Sequence, residues 1–329
     1  MAVINFIFSA VRIAMAFLLG STGETLTEKS GHLNLGIPGI MCVGAAGGCV
    51  AEALYTRAAV AGKTEAPAEY GQYISPFLAV VIPIFAAFLC AALMGLLYSF
   101  LTVTLRANQN VSGLALTTLG IGVADYMIST VRPAEFGHAS KYFTAYLPFA
   151  DSLGGFGKLF FSYGVMVYLS VFIALAVSFV LFKTSVGLRL RSVGEDPATA
   201  DAAGISVTKY RYIATLVGSG IAGLGGLTYV MDTLNGNWEY VIDAIGWLSI
   251  ALVIFTVWKP HLGIPGSILF GALYIAGSYI SGVSTANKSL IKMLPYAVTV
   301  IVLIITGVRR KKENRPPQGL GVNYFREER

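Results

Sequence analysis

The chain is 329 residues long, 55% hydrophobic and 12% charged, with a mean hydropathy of +0.70 and a formal net charge of +6. Soluble domains carry about 25% charged residues, so this composition excludes a water-solvated globular protein. The positive excess then reads as membrane topology, and not as a surface for nucleic acid.

Apolar residues fall in blocks near 8–27, 33–56, 76–104, 111–130, 162–183, 210–231, 244–258, 262–283 and 290–308. A helix needs about 20 residues to cross roughly 30 Å of hydrocarbon, so the blocks predict about nine spans, within a range of about eight to ten. None alternates apolar and polar residues as the strands of a membrane barrel do. Lipid offers no partner to free backbone groups. The expected fold is therefore all-α, a polytopic transmembrane helical bundle over residues 1–308. The first block lacks a basic leader and a small-residue cleavage site, and is expected to be kept as a span. Arg12 within it is expected to snorkel outward.

The second block opens on Asn34, Gly36, Pro38 and Gly39. Proline removes a hydrogen bond and clashes with the preceding turn, so a second helix broken at Pro38 is expected. Cys42, Cys49 and Cys90 all lie in apolar blocks and read as packing residues. The 57–75 and 131–161 stretches are long outer loops, and Gly154, Gly155 and Gly157 beside aromatics suggest an irregular or interfacial segment in the second. Around the fourth block stand Asn108, Asn110, Ser112, Thr117 and Thr118. A neutral hydrophilic solute needs a lining of uncharged hydrogen-bonding groups, and with Asn34 and Pro38 these are the candidate pathway residues. Asn34 and Ser112 also read as ordinary helix starts. Asp125 is the one acid well inside an apolar block, with Glu52 and Asp243 near block ends. Intramembrane acids are functional candidates, but Asp125 is only a few residues from the outer end, so a solvated or paired rim position is also expected for it.

The loop between the fifth and sixth blocks carries the most local information. Asp196 is a good N-cap, Pro197 suits the first helical position, and Gly204 can close the helix in the left-handed conformation. A helix this short is marginal in water, so something must hold it. One reading is a capped loop. The other is a docking helix over about 194–204 that meets a cytoplasmic subunit through Gly194, Glu195, Asp196, Pro197, Asp201, Ala203 and Gly204. The chain then ends in a basic tail, 309–329, that begins Arg309-Arg310-Lys311-Lys312 and is expected to be disordered until something binds it. By the positive-inside rule the tail and the 184–209 loop are cytoplasmic, and the N-terminus is outside.

These residues carry a resemblance. Val193-Gly194-Glu195-Asp196-Pro197 through Ala203-Gly204-Ile205 is similar to the coupling-helix motif of the branched-chain amino acid, ribose and nucleoside family of ABC transporter permeases. Glu28-Lys29-Ser30-Gly31-His32-Leu33-Asn34-Leu35-Gly36-Ile37-Pro38-Gly39 resembles a second signature of that family, with Lys29 in place of the usual Arg and Pro38 where Glu is common. No acidic role is carried over to position 38. Ala107-Asn108-Gln109-Asn110-Val111-Ser112-Gly113 is a third match. Gly246-Trp247-Leu248-Ser249 and the ending Asn323-Tyr324-Phe325-Arg326 are similar to the nucleoside branch. The resemblance implies a type II-like importer permease in the bacterial cell membrane, with no catalytic site of its own. Its implied partners are ABC ATPase subunits, a second and related permease chain, and a substrate-binding lipoprotein, besides membrane lipid. ATP and Mg would sit on the ATPase, since no Gly-x-x-x-x-Gly-Lys-Ser/Thr loop occurs here. Cofactors and metals are expected to be absent from this chain. Nucleosides are the expected solute, with a simple sugar or riboflavin as alternatives. An ion-coupled secondary transporter is the other class, for which Asp125 is the candidate site.

Overall fold

The apolar blocks form helices in the computed structural model, which describes residues 2–63, 66–146, 150, 152, 154–239, 242–280, 285–309 and 315–325. The N-terminal half contains α1 (Ala2–Glu28), α2 (Ile37–Val60), α3 (Tyr70–Tyr73), α4 (Leu78–Ser99), α5 (Gln109–Ser129), α6 (Pro133–Gly137), α7 (Ser140–Phe143) and α8 (Gly154–Phe160). The C-terminal half contains α9 (Val165–Lys183), α10 (Ser185–Glu195), α11 (Pro197–Ala202), α12 (Val207–Thr228), α13 (Ile242–Phe255), α14 (Pro260–Tyr279), α15 (Thr285–Lys292) and α16 (Leu294–Arg309). Among the described residues there is no strand. The Gly154–Gly157 stretch, expected to be irregular or interfacial, is not irregular and starts the short helix α8.

Among the described residues seven helices are long and apolar enough to cross a membrane. The other two expected spans correspond to shorter apolar helices, Ala244–Phe255 and Leu290–Ile305. Each of these rises only about 20 Å at 1.5 Å per residue. The apolar run 244–258 looked longer because it continues through a left-handed turn. Val257 and Trp258 both have φ of 55°, and the Trp258 indole N–H donates to Glu28 there. Pro260 then begins α14.

Segments 29–36, 105–108, 184–206, 256–259 and 315–325 meet at one end of the bundle. Gly319 N–H donates to Gly194 O at 2.9 Å, Leu33 N–H to Gln109 Oε1 at 2.8 Å, and Asn323 Nδ2 to Arg106 O at 2.7 Å. Each pair of successive segments is joined by two helices, out and back, with α13 and α16 as return legs. We call this the inner end.

The centre of the bundle is α2 and α12, whose apolar windows are 83% buried, against 28% for α4 and 33% for α9. Lipid supplies no hydrophobic force between helices, so close backbone approach must supply dispersion instead. Gly44 of α2 faces Gly223 of α12 so closely that a Cβ on Gly44 would lie 2.4 Å from the Gly223 Cα. Gly120 of α5 meets the Gly39 backbone of α2 in the same way, at 2.6 Å.

The second helix is not broken within its length. Pro38 stands in the first turn of a continuous α2, where a missing N–H costs nothing. The irregular backbone lies before it, at 33–36. Both α4 and α12 end in a π-helical turn, Phe100–Thr104 and Tyr229–Thr233. The second of these turns buries Asp232, which Arg12 meets at 2.7 Å. Arg12 therefore pairs across α1 and α12, where snorkelling was expected. Asp125, the acid well inside an apolar block, is half-buried, which suits the rim position also expected for it. Among the described residues the buried acids are Glu24, Glu28, Glu52 and Asp232, each 3% exposed or less, and Glu135 at 7%.

Candidate functional site

A loop can be buried only if its backbone groups find partners, and segment 29–36 meets that condition with side chains. Asn34 N–H donates to Glu24 Oε1 at 3.1 Å, and Gly36 N–H to the Asn34 side-chain carbonyl at 2.9 Å. Thr117 donates to Leu35 O at 2.8 Å, and the Tyr98 hydroxyl donates to Leu33 O. His32 is fully buried between α4 and α12, with Nδ1 at 2.8 Å from Thr215 Oγ1 and Nε2 at 2.6 Å from Thr102 Oγ1. The Thr102 hydroxyl already donates to Tyr98 O at 2.6 Å, so it accepts from His32. This fixes the Nε2–H tautomer, with Nδ1 accepting from Thr215.

Burial pushes the His32 pKa down to about 3, aided by the Arg211 charge. The folded-state value lies below the ordinary value of about 6.5. The neutral ring's contribution is therefore intact above about pH 6.5 and is lost as pH falls toward the folded-state value. Acidification to pH 4.5 is expected to cost roughly 3 kcal/mol through this residue alone. Thermal melts of the purified protein check this: His32→Gln keeps a donor and an acceptor and should lose less stability than wild type between pH 6.5 and 4.5. Equal losses would contradict it.

The neighbouring helix α11 is specified at both ends. The Asp196 carboxylate accepts from Ala198 N at 3.0 Å, from Thr199 N at 3.1 Å and from the Thr199 hydroxyl. The Thr199 hydroxyl and these amides hold its pKa below the usual carboxylate value. Gly204 has φ of 81°. Its N–H donates to Asp201 O at 2.9 Å, while Ile205 N–H donates to Ala200 O at 3.0 Å. This is a Schellman closure, with Ile205 and Ala200 in one apolar cluster with Val193 and Val207. Only Ala200 of α11 is buried; Ala198, Thr199, Ala202 and Ala203 are exposed. Clefts of about 680 Å³, lined by Lys29, Arg191 and Glu195, and about 670 Å³, lined by Leu190, Lys209 and Tyr210, flank the helix.

Of the residues expected at this contact, Glu195, Asp196, Pro197, Asp201, Ala203 and Gly204 all belong to or border α11. Gly194 does something different. A Cβ there would lie 2.3 Å from Lys29 O, so it is the point where the 184–206 segment closes on the 29–36 loop. The sequence blocks around Glu28 and Gly194 are thus in contact.

The tail departs from expectation. Residues 310–314 and 326–329 lie outside the described residues, but 315–325 is docked. Gly321 N–H donates to Gly31 O at 3.3 Å, and Gln318 N–H to Glu195 Oε2 at 3.3 Å. Asn323 accepts from Gln109 Nε2 at 3.2 Å while donating to Arg106 O, and Tyr324 donates to Asp201 at 2.7 Å. Composition suggested disorder because few of these residues are apolar; the docking is made by backbone and side-chain hydrogen bonds instead. Asn323→Ala removes bonds worth about 1 kcal/mol each. It is expected to raise hydrogen exchange at the Gly319 and Gly321 amides roughly tenfold or more. Unchanged protection would mean that the tail is held by other contacts.

The expected pathway residues divide. Asn34, Pro38, Ser112 and Thr117 are buried in the seam between the 29–36 loop, α2 and α5. Asn108 caps α5 by accepting from Val111 N at 3.1 Å, and with Asn110 and Thr118 it lies on the exposed side of that helix. Gly122 continues this side, with open space beside it. Sequence reasoning missed His32, Tyr98, Thr102, Thr215 and Arg211, which come from separate segments with no shared spacing. Their one signal was polarity inside or beside apolar blocks.

The family described as branched-chain amino acid transport system, permease component, matches residues 6–303. The chain is 31% identical over 312 residues to the nucleoside ABC transporter permease protein NupC of Lactococcus lactis subsp. cremoris, covering 93% of this chain and 92% of that one. It is 29% identical to the guanosine ABC transporter permease protein NupQ of Bacillus subtilis, over 96% and 95% of the two chains. It is also 29% identical, over 97% of each chain, to TsgC13 of Haloferax volcanii, an ABC transporter permease whose name assigns it to glucose. No solved structure matches the chain.

Proposed function

This chain belongs to the branched-chain amino acid transport system permease-component family, and we propose that it is the membrane-spanning subunit of an ATP-driven nucleoside importer. The observation that carries the mechanism is α11, capped at both ends, exposed on the side away from Ala200 and flanked by two clefts at the inner end. In this reading an ABC ATPase with its ATP and Mg grips α11. Its closure is relayed through Gly194 to the 29–36 loop, and from there to α2 and α5. The inner end is then cytoplasmic, as the basic Lys29, Arg106, Arg191, Lys209 and Lys259 gathered there suggest. The multi-pass chain would place its C-terminus in the cytoplasm and its N-terminus outside.

A second permease chain would face α5, so that Asn110, Thr118 and Gly122 line half of the path. Their uncharged hydrogen-bonding groups suit a neutral solute, which can be held weakly enough to leave. A substrate-binding lipoprotein would deliver it from outside. The likeness to NupC and NupQ favours nucleosides, and the likeness to TsgC13 makes a sugar the competitor to test.

The test is uptake of labelled guanosine or adenosine into liposomes holding the complete complex, with the binding protein outside and ATP inside. Uptake should require ATP and be blocked by excess unlabelled nucleoside but not by excess glucose. Competition by glucose would overturn the substrate, and uptake without ATP would overturn the class.

A further inference from the structure

A charged side chain out of water needs an opposite charge or hydrogen-bond acceptors, and at the inner end Arg211 has neither. It lies one turn into α12 and is 2% exposed. Its Nε and Nη2 are buried without a hydrogen-bond partner, and among the described residues no carboxylate lies within ion-pair distance of it. Arg211 is among the residues that line a polar cavity of about 440 Å³. Ser206, Val207 and Thr208, the N-cap and first turn of α12, line the same cavity. The first amides of a helix have no acceptor within it and carry the positive end of its dipole. Arg106, stacked on the Phe325 ring at 4.8 Å, adds a second positive charge. Among the described residues the lining's one acid is Asp201, engaged by the Tyr324 hydroxyl at 2.7 Å.

We propose that this cavity is a binding site for a phosphate-type oxyanion, held by the Arg211 guanidinium and the first turn of α12. The pairing is chemically apt: guanidinium offers a planar fork of donors to a phosphoryl group, and helix N-termini bind the same groups through their amides. An occupant would also touch Asp201 and Gly204 beside α11 and Tyr324 of the tail, since all three line the cavity. Binding would therefore clamp α11, the tail and α12 together, and a soluble cytoplasmic anion would act on the exposed helix. The site stands independently of the transported solute, because none of the pathway residues lines it.

The oxyanion is inorganic phosphate or a phosphomonoester from solution. The experiment uses the purified full-length chain in detergent, titrated with inorganic phosphate at constant ionic strength against chloride, and read by thermal melts and calorimetry. A saturable rise of several degrees in Tm is expected. Arg211→Met should abolish it, and Arg106→Ala and Thr208→Val should each weaken phosphate binding about tenfold. Those two surface variants keep the test valid if Arg211→Met does not fold. Adenosine 5′-monophosphate run alongside separates free phosphate (equal affinity) from a nucleotide (tighter). Absence of any response in the wild type, or a response that survives Arg211→Met, overturns the proposal.

Discussion

Deletion of residues 197–202 is expected to abolish ATP-driven uptake while the chain still inserts and folds. The helix they form contributes little to the bundle, since Ala200 is its one buried residue. What it offers is a shape, and that shape rests on local devices that can be weakened separately. Asp196→Ala removes an N-cap worth about 1 kcal/mol, and should lower ATPase stimulation and uptake roughly fivefold. Gly204→Ala is the cleaner probe. The φ of 81° disfavours any side chain, yet nothing lies within 4 Å of where its Cβ would point. Its cost is therefore backbone strain alone, about 1–2 kcal/mol, and the transport loss should resemble that of Asp196→Ala. The double variant should approach the deletion. If the deletion left uptake intact, α11 would be an ordinary connection and the relay through Gly194 would have no starting point.

The parts of this site that the sequence disclosed are those whose chemistry is local. Asp196, Pro197 and Gly204 act within one short helix, so their spacing was sufficient to predict both its ends. The length of α13 was overestimated because hydropathy does not register a left-handed turn at Val257 and Trp258. Pro38 was read as a break because a proline inside an apolar block and a proline starting a helix differ only in where the preceding backbone becomes irregular. The pairing of Arg12 with Asp232 joins residues 220 positions apart, and no local pattern links them. The same holds for His32 with Thr102 and Thr215, and for Tyr324 with Asp201. Residue type was informative in each case, since polar groups in apolar blocks must find partners, but the identity of the partner is a property of the packed bundle.

That packing is itself concentrated where side chains are missing, and Gly44→Ala is expected to have the largest effect on folding of any single substitution considered. A methyl group at this position would lie 2.4 Å from the Gly223 Cα and 2.9 Å from its carbonyl oxygen. These are backbone atoms of a central helix and cannot rotate away. Separating α2 from α12 would also open the contacts around Gly226, whose Cβ position lies 2.1 Å from Met41 O. Overpacking a core costs about 1–3 kcal/mol and sometimes more, and helix association in lipid has no hydrophobic reserve to offset it. The expected result is loss of the folded chain from the membrane fraction, measured by monodispersity in detergent and by Tm. Gly62→Ala is the control, since its Cβ position meets nothing within 4 Å although its φ of 70° makes it strained. Its Tm should fall by only a few degrees. If Gly44→Ala proved as mild as Gly62→Ala, the α2–α12 seam would be looser than its backbone contacts indicate. The case for a rigid centre, against which the 29–36 loop and α5 can move, would fail with it.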